Sequence, residues 1–94
     1  MNNTVIRADI YMRYDGVYLS AIFSDDKDTI SRVKSWVFKE FFNSDYGDWL
    51  KTYMRVLSGD VTREERLHKA ELSVDTSYEF NFDCWLDIKR EKLL

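Results

Sequence analysis

An α+β fold is predicted, a two-layer sandwich in which a four-stranded, largely antiparallel sheet packs against one or two helices in the order ββααββ. Three observations predict it: residues 4 to 23 alternate apolar and polar positions around an Asp15-Gly16 turn signal, residues 28 to 43 carry an apolar stripe at helical spacing, and residues 77 to 88 alternate again. With 94 residues the chain holds one core, so a single domain spanning 1–94 is expected.

In the first segment Ile6, Ala8, Ile10, Met12 and Tyr14 alternate with polar residues up to Asp15-Gly16, a dipeptide that favours a two-residue type I′ turn. Such a turn pairs Tyr14 with Val17 and places Leu19, Ala21 and Phe23 on the face of the first strand's apolar set. Asp25, Asp26 and Asp28 then stand where a helix N-terminus favours carboxylates. The stripe Ile30, Val33, Val37, Phe38, Phe41, Phe42 predicts a helix from Asp28 to Asn43. Asp45 or Asp48 caps a second helix bearing Trp49, Leu50, Tyr53, Met54 and Leu57 and ending at Ser58-Gly59, with strand as the alternative.

Residues 62 to 74 carry conflicting signals. Thr62-Arg63-Glu64-Glu65 fits a capping box, whereas His68, Ala70, Leu72 and Val74 alternate, and the alternation predicts a strand from Leu67. From Ser77 to Ile88 one long strand is expected, with Tyr78, Phe80, Phe82, Cys84, Leu86 and Ile88 on the buried face and Glu79, Asn81, Asp83, Trp85 and Asp87 outward.

Apolar residues make up 45% of the chain and aromatics 16%, enough for burial to offset chain entropy without a disulfide or structural metal. Met1-Asn2-Asn3-Thr4 shows no basic segment leading into an apolar run, and no stretch reaches the roughly 18 apolar residues of a membrane span. The single cysteine fits a reducing compartment, so a cytoplasmic protein, or one acting in a host cytoplasm, is expected, without membrane attachment. The net charge of -3, from 14 basic and 17 acidic residues, supplies no general field for nucleic acid.

The chemistry-bearing residues are few. Pairing a 67–74 strand with the last strand sets His68 opposite Cys84, but on an inward face where a thiol stays protonated and substrate has little access. One His and one Cys fall short of the four ligands of a structural zinc site. Asp25-Asp26-Lys27-Asp28 lacks the glycine and the distal glutamate of a calcium loop, and no phosphate-cradling or dinucleotide glycine motif occurs. No catalytic residue, metal or cofactor is assigned, and the expectation is not an enzyme.

Binding is the expectation that remains. At 3.6 residues per turn Trp36 falls among Arg32, Lys39 and Glu40 on the polar side of its helix, and Tyr11, Tyr18 and Trp85 fall on the outward face of the strands. Glu79, Asp83 and Asp87 form either an acidic ridge, with charges about 13 Å apart along one strand, or cross-strand partners of Arg7 and Arg13. The expected protein-binding residues are therefore Trp36, Trp85, Tyr11, Tyr18, Arg32, Glu40, Glu79, Asp83 and Asp87, in a small module that occupies a partner's surface. An inhibitor or immunity-type accessory protein of phage or mobile-element kind, with a nucleic-acid-handling enzyme as one candidate partner, fits this description. Single-stranded nucleic acid read by Arg7, Arg13, Tyr11, Tyr18 and Trp85 ranks below it. A homodimer through the Trp36 face or an edge strand fits the same residues.

Overall fold

A computed structural model describes residues 3–53 and 62–93. The chain has the expected α+β fold, and its described residues form a four-stranded antiparallel sheet and three helices. The elements are β1 (Thr4–Met12), β2 (Gly16–Ser24), α1 (Thr29–Trp36) continued by a π-helical turn (Val37–Phe41), α2 (Asp45–Tyr53), α3 (Arg63–Lys69), β3 (Thr76–Asn81) and β4 (Cys84–Lys92). Two compact units result: the residues up to Val33 together with those from Leu72, which hold the sheet, and Lys34–Glu71, whose described residues are mostly helical.

In the sheet unit the strand order is β2-β1-β4-β3. Ile6, Ala8 and Ile10 of β1 pair with Phe23, Ala21 and Leu19 of β2 and with Arg90, Ile88 and Leu86 of β4, so the inner face is apolar over most of its central rows. Ile6, Ala8, Ile10, Phe80, Cys84, Leu86 and Ile88 are buried, as the alternation predicts.

The first turn differs from the expected one. Tyr14 does not pair with Val17; the amide of Asp15 donates to the carbonyl of Met12 at 3.3 Å, Met12 pairs with Gly16, and Gly16 alone takes a positive φ, of 82°. A type I′ turn needs positive φ at both central residues, and Asp15 does not adopt it, so a longer loop closed by a left-handed glycine forms instead. The register moves by two residues and takes up a bulge at Tyr18. An even displacement leaves Leu19, Ala21 and Phe23 on the inner face. It turns Val17 outward to face Tyr11, and Tyr14, at 89% exposure, stands in the loop.

A larger correction concerns residues 77 to 88, which form a hairpin rather than one strand. Asn81 pairs with Cys84 across Phe82-Asp83, and a bulge at Phe80 shifts the register to Tyr78 against Leu86 and Glu79 against Trp85. A two-residue turn alone would swap the faces of odd and even residues; the bulge swaps them back, so the period-2 pattern runs through the turn unbroken. Phe82, expected to be buried, is therefore at the turn and 66% exposed. The signal that marks the turn is Asn81, whose side-chain carbonyl accepts from the Asp83 amide at 2.8 Å.

In the helical unit the π-helical turn is marked by the Phe42 amide donating to the Val37 carbonyl at 3.0 Å, and Val37, Phe41 and Phe42 are buried. α2 begins at Asp45, but its cap is Ser44 rather than Asp45 or Asp48: the Ser44 hydroxyl accepts from the Gly47 amide at 3.2 Å and the Ser44 carbonyl from the Asp48 amide at 2.8 Å. The helix buries Leu50; Met54, Leu57 and Ser58-Gly59 lie outside the described residues. Gly47 is required here, since a Cβ would stand 1.8 Å from the Phe41 carbonyl oxygen.

The strand expected from Leu67 is instead helix α3. Its Thr62 hydroxyl accepts from the Glu65 amide at 3.1 Å, Glu64 and Glu65 occupy the first turn, and Arg66, His68 and Lys69 the last. The Lys34 ammonium donates to the carbonyls of His68 and Ala70 at 3.2 and 2.5 Å. Groups at both helix ends are thus bonded, and the Thr62 cap together with the Lys34 contact outweighs an alternation that holds only three apolar residues, Ala70, Leu72 and Val74. The element order is ββαααββ.

Candidate functional site

With β1 and β4 at the centre of the sheet, their outward side chains meet in successive rows. Arg13 lies against Asp83, Tyr11 against Trp85, Asp9 against Asp87 and Arg7 against Lys89. The first of these rows extends the ladder beyond Met12, because the Arg13 amide donates to the Asp83 carbonyl at 2.8 Å.

Tyr11 and Trp85 are stacked, with ring centroids 5.8 Å apart and planes inclined by 14°, and each ring is half-buried. Beside them the Arg13 guanidinium reaches the Asp83 carboxylate at 3.3 Å, donates to the Phe82 carbonyl at 2.7 and 3.1 Å, and sits 5.9 Å from the centre of the Phe82 ring. Glu79 of β3 is the opposite neighbour of Trp85 and is exposed.

On the other side of the aromatic pair Asp9 and Asp87 occupy paired positions on the ladder, and each carboxylate is bonded toward its outer strand, β2 for Asp9 and β3 for Asp87. Asp9 is only 4% exposed, accepts from the Ser20 hydroxyl at 2.6 Å and receives Arg7 Nε at 3.3 Å. Asp87 is half-buried and accepts from the Ser77 hydroxyl. Arg7 also approaches Glu91 at 3.7 Å, and Asp9 first, then Glu91, raises its guanidinium pKa. A hollow of about 460 Å³ adjoins this end of the face, lined by Ser77, Asp87, Lys89 and Glu91 among others.

Of the expected binding residues, Tyr11, Trp85, Glu79, Asp83 and Asp87 are brought together on this one face. The acids do not form a ridge along a single strand, because the hairpin distributes Glu79, Asp83 and Asp87 over β3, the turn and β4. Of the two arginines expected to pair with these acids, Arg13 meets Asp83, whereas Arg7 turns to Asp9 and Glu91. Tyr18, 38% exposed, is the bulge residue next to Val17, the strand partner of Tyr11. Arg32 is engaged locally, its guanidinium 2.8 Å from Asp26 and 3.1 Å from the Ser24 carbonyl. Trp36, half-buried, and Glu40, exposed, belong to the helical unit.

The cross-strand pairing of His68 with Cys84 does not occur, since His68 is on α3. Cys84 is buried, and burial first, then Asp83, pushes its thiol up to about 12, a value at which no useful thiolate exists at neutral pH. Sequence reading places Asp9 on the outward face and Asp25 at a helix N-terminus; the burial of Asp9 and the bonding of Asp25 to β1 and β4 rather than to the helix are what it does not give. Asp25 accepts from Thr4 Oγ at 2.6 Å and Arg90 Nε at 2.7 Å, and these two bonds hold its carboxyl below the usual range. Asp25 is 65 residues from Arg90 in the chain, and only the β1–β4 pairing makes them neighbours. Among the described residues no group of three or more His, Cys, Asp or Glu is placed to hold a metal ion, and no helix is long and apolar enough to cross a membrane.

No protein-family model matches the chain, and no significant match was found among curated proteins or solved structures.

Proposed function

We propose that this chain is a non-enzymatic protein-binding module whose outward sheet face, centred on Tyr11 and Trp85, occupies a lysine- or arginine-bearing surface of another protein. The observation that carries the reading is the stacked, half-exposed Tyr11–Trp85 pair flanked by a fixed ion pair and by acids. Rigid aromatic anchors beside ordered charges are what interface hot spots consist of, because little side-chain entropy remains to be lost on binding. The carboxylates beside the aromatic pair, exposed Glu79 and half-buried Asp87, give the preference for a basic partner, because a docked cation meets complementary charge there. An inhibitor or immunity-type protein that covers the basic groove of a nucleic-acid-handling enzyme is the concrete form of this reading.

Direct nucleic-acid binding by the same face is disfavoured. Arg7 is held by Asp9 and Glu91 and Arg13 by Asp83, and Glu79 and Asp87 repel phosphate. The test is partner capture from the native cell with wild-type, Tyr11→Ala and Trp85→Ala protein. Each substitution is expected to weaken capture by about 2 kcal/mol, roughly thirtyfold, and increasing salt to weaken it further, while the circular-dichroism spectrum is unchanged. Capture unaffected by both substitutions overturns the proposal, as does a salt-sensitive mobility shift with single-stranded DNA or RNA at micromolar protein.

A further inference from the structure

We infer that the chain forms a twofold dimer with a second copy of itself by antiparallel pairing of β2 with β2, centred on Ala21, joining two sheets into one of eight strands. β2 is an outer strand of the sheet, nine residues long, and its sequence Gly-Val-Tyr-Leu-Ser-Ala-Ile-Phe-Ser holds no charged residue and no proline, although a third of the chain is charged. Exposed edges are ordinarily guarded by charges, prolines or shortness, because unpaired backbone groups recruit another strand. The opposite edge, β3, follows that rule, being six residues long with Glu79 on it. β2 carries a bulge near its start as its one irregularity, and beyond it Ile22 is 64% exposed.

The backbone directions fix the register. The Ser24 carbonyl accepts from Thr29 Oγ at 2.6 Å and Arg32 Nη at 3.1 Å, so both its lone pairs are taken on the side away from β1. In an antiparallel ladder alternate residues turn N–H and C=O the same way, which points the backbone groups of Ser20 and Ile22 outward and those of Ala21 toward β1. Pairing centred on Ala21 sets Ser20 of one copy against Ile22 of the other, twice, and uses the four outward groups of these residues while leaving Ser24 to its own partners. It also sets Leu19 against Phe23 in both directions, two half-buried apolar side chains that become neighbours on the inner face. Alanine, the smallest chiral residue, falls on the axis where the two copies approach closest. This self-match about one residue, with no charge to repel its copy, is why the occupant is a second copy rather than a foreign strand.

Sedimentation velocity of the full chain at 10 to 200 µM tests the inference. A mass of twice 11.3 kDa is expected for the wild type, and Ile22→Lys, an exposed position, is expected to give the monomer with an unchanged circular-dichroism spectrum. Ala21→Cys is expected to form an intermolecular disulfide on mild oxidation, since residues at the axis form a narrow pair with Cα atoms about 4.5 Å apart, while Leu19→Cys is not. A wild-type monomer at 200 µM overturns the dimer. A dimer that survives Ile22→Lys, or that cross-links through Leu19→Cys and not Ala21→Cys, overturns the β2 pairing.

Discussion

Trp85 on β4 lies directly across the ladder from Tyr11 on β1, and the two rings stack at 5.8 Å on the outward face of the sheet. The pair joins the two central strands at the end where both hairpins turn, so it contributes to the fold as well as presenting a surface. A double-mutant cycle of Tyr11→Ala and Trp85→Ala, read by urea denaturation, is expected to give a coupling of about 0.5 to 1.5 kcal/mol. Additive single effects would show that the stack contributes nothing beyond the burial of each ring.

Asp9 and Asp87 oppose one another one row further along. Asp87→Asn removes the repulsion and keeps an oxygen to accept the Ser77 hydroxyl, so it is expected to raise stability at neutral pH by about 0.2 to 1 kcal/mol. The same substitution is expected to weaken partner capture. A stabilising change that costs binding is the mark of a charge placed for a partner, whereas a loss of stability would show that Asp87 is held by its neighbours more strongly than Asp9 repels it.

Gly47 has no room for a side chain. Gly47→Ala pushes a methyl into the Phe41 carbonyl and is expected to lower stability by about 1 to 3 kcal/mol, as over-packed sites do. Thermal denaturation of the variant checks this, and a melting temperature within error of wild type would contradict the close approach of α2 to the π-helical turn.

How much of this was legible beforehand follows from which signals are local. The inner face of β1 and β4, from Ile6 to Ile10 and from Cys84 to Ile88, was readable because alternation depends only on residue type. The hairpin at Phe82-Asp83 was hidden, since the bulge at Phe80 restored the parity that the turn broke. α3 was misread because its evidence, the Thr62 cap, competed with an alternation of similar length, and the deciding Lys34 contact spans 34 residues to His68. Tyr11, Trp85, Glu79 and Asp87 stand on the outward side that alternation gives them, whereas Asp83 falls in the turn and Tyr18 in the bulge. Their arrangement in rows depends on β1 pairing with β4, and no short-range pattern encodes that.

Asp25 links β1, the segment after β2 and β4 through Thr4 and Arg90, and its carboxyl titrates below the ordinary range because of those two bonds. A carboxyl whose pKa is lower in the folded than in the unfolded chain adds stability that is complete above about pH 4 and is lost as pH falls through the folded-state value. Asp26 contributes in the same direction through Arg32 and the Asp28 amide. Asp25→Asn is therefore expected to lower stability at pH 7 and to flatten the fall between pH 5 and 2. Denaturation midpoints measured across that range check it, and parallel profiles for variant and wild type would contradict the assignment.

The most direct measurement places a photo-cross-linking benzoylphenylalanine at Glu79, exposed beside Trp85, and at Glu64, exposed on α3. After irradiation in the native cell, a heterologous protein adduct is expected from position 79 and none from position 64. Adducts from position 64 alone would contradict the outward sheet face as the partner's site.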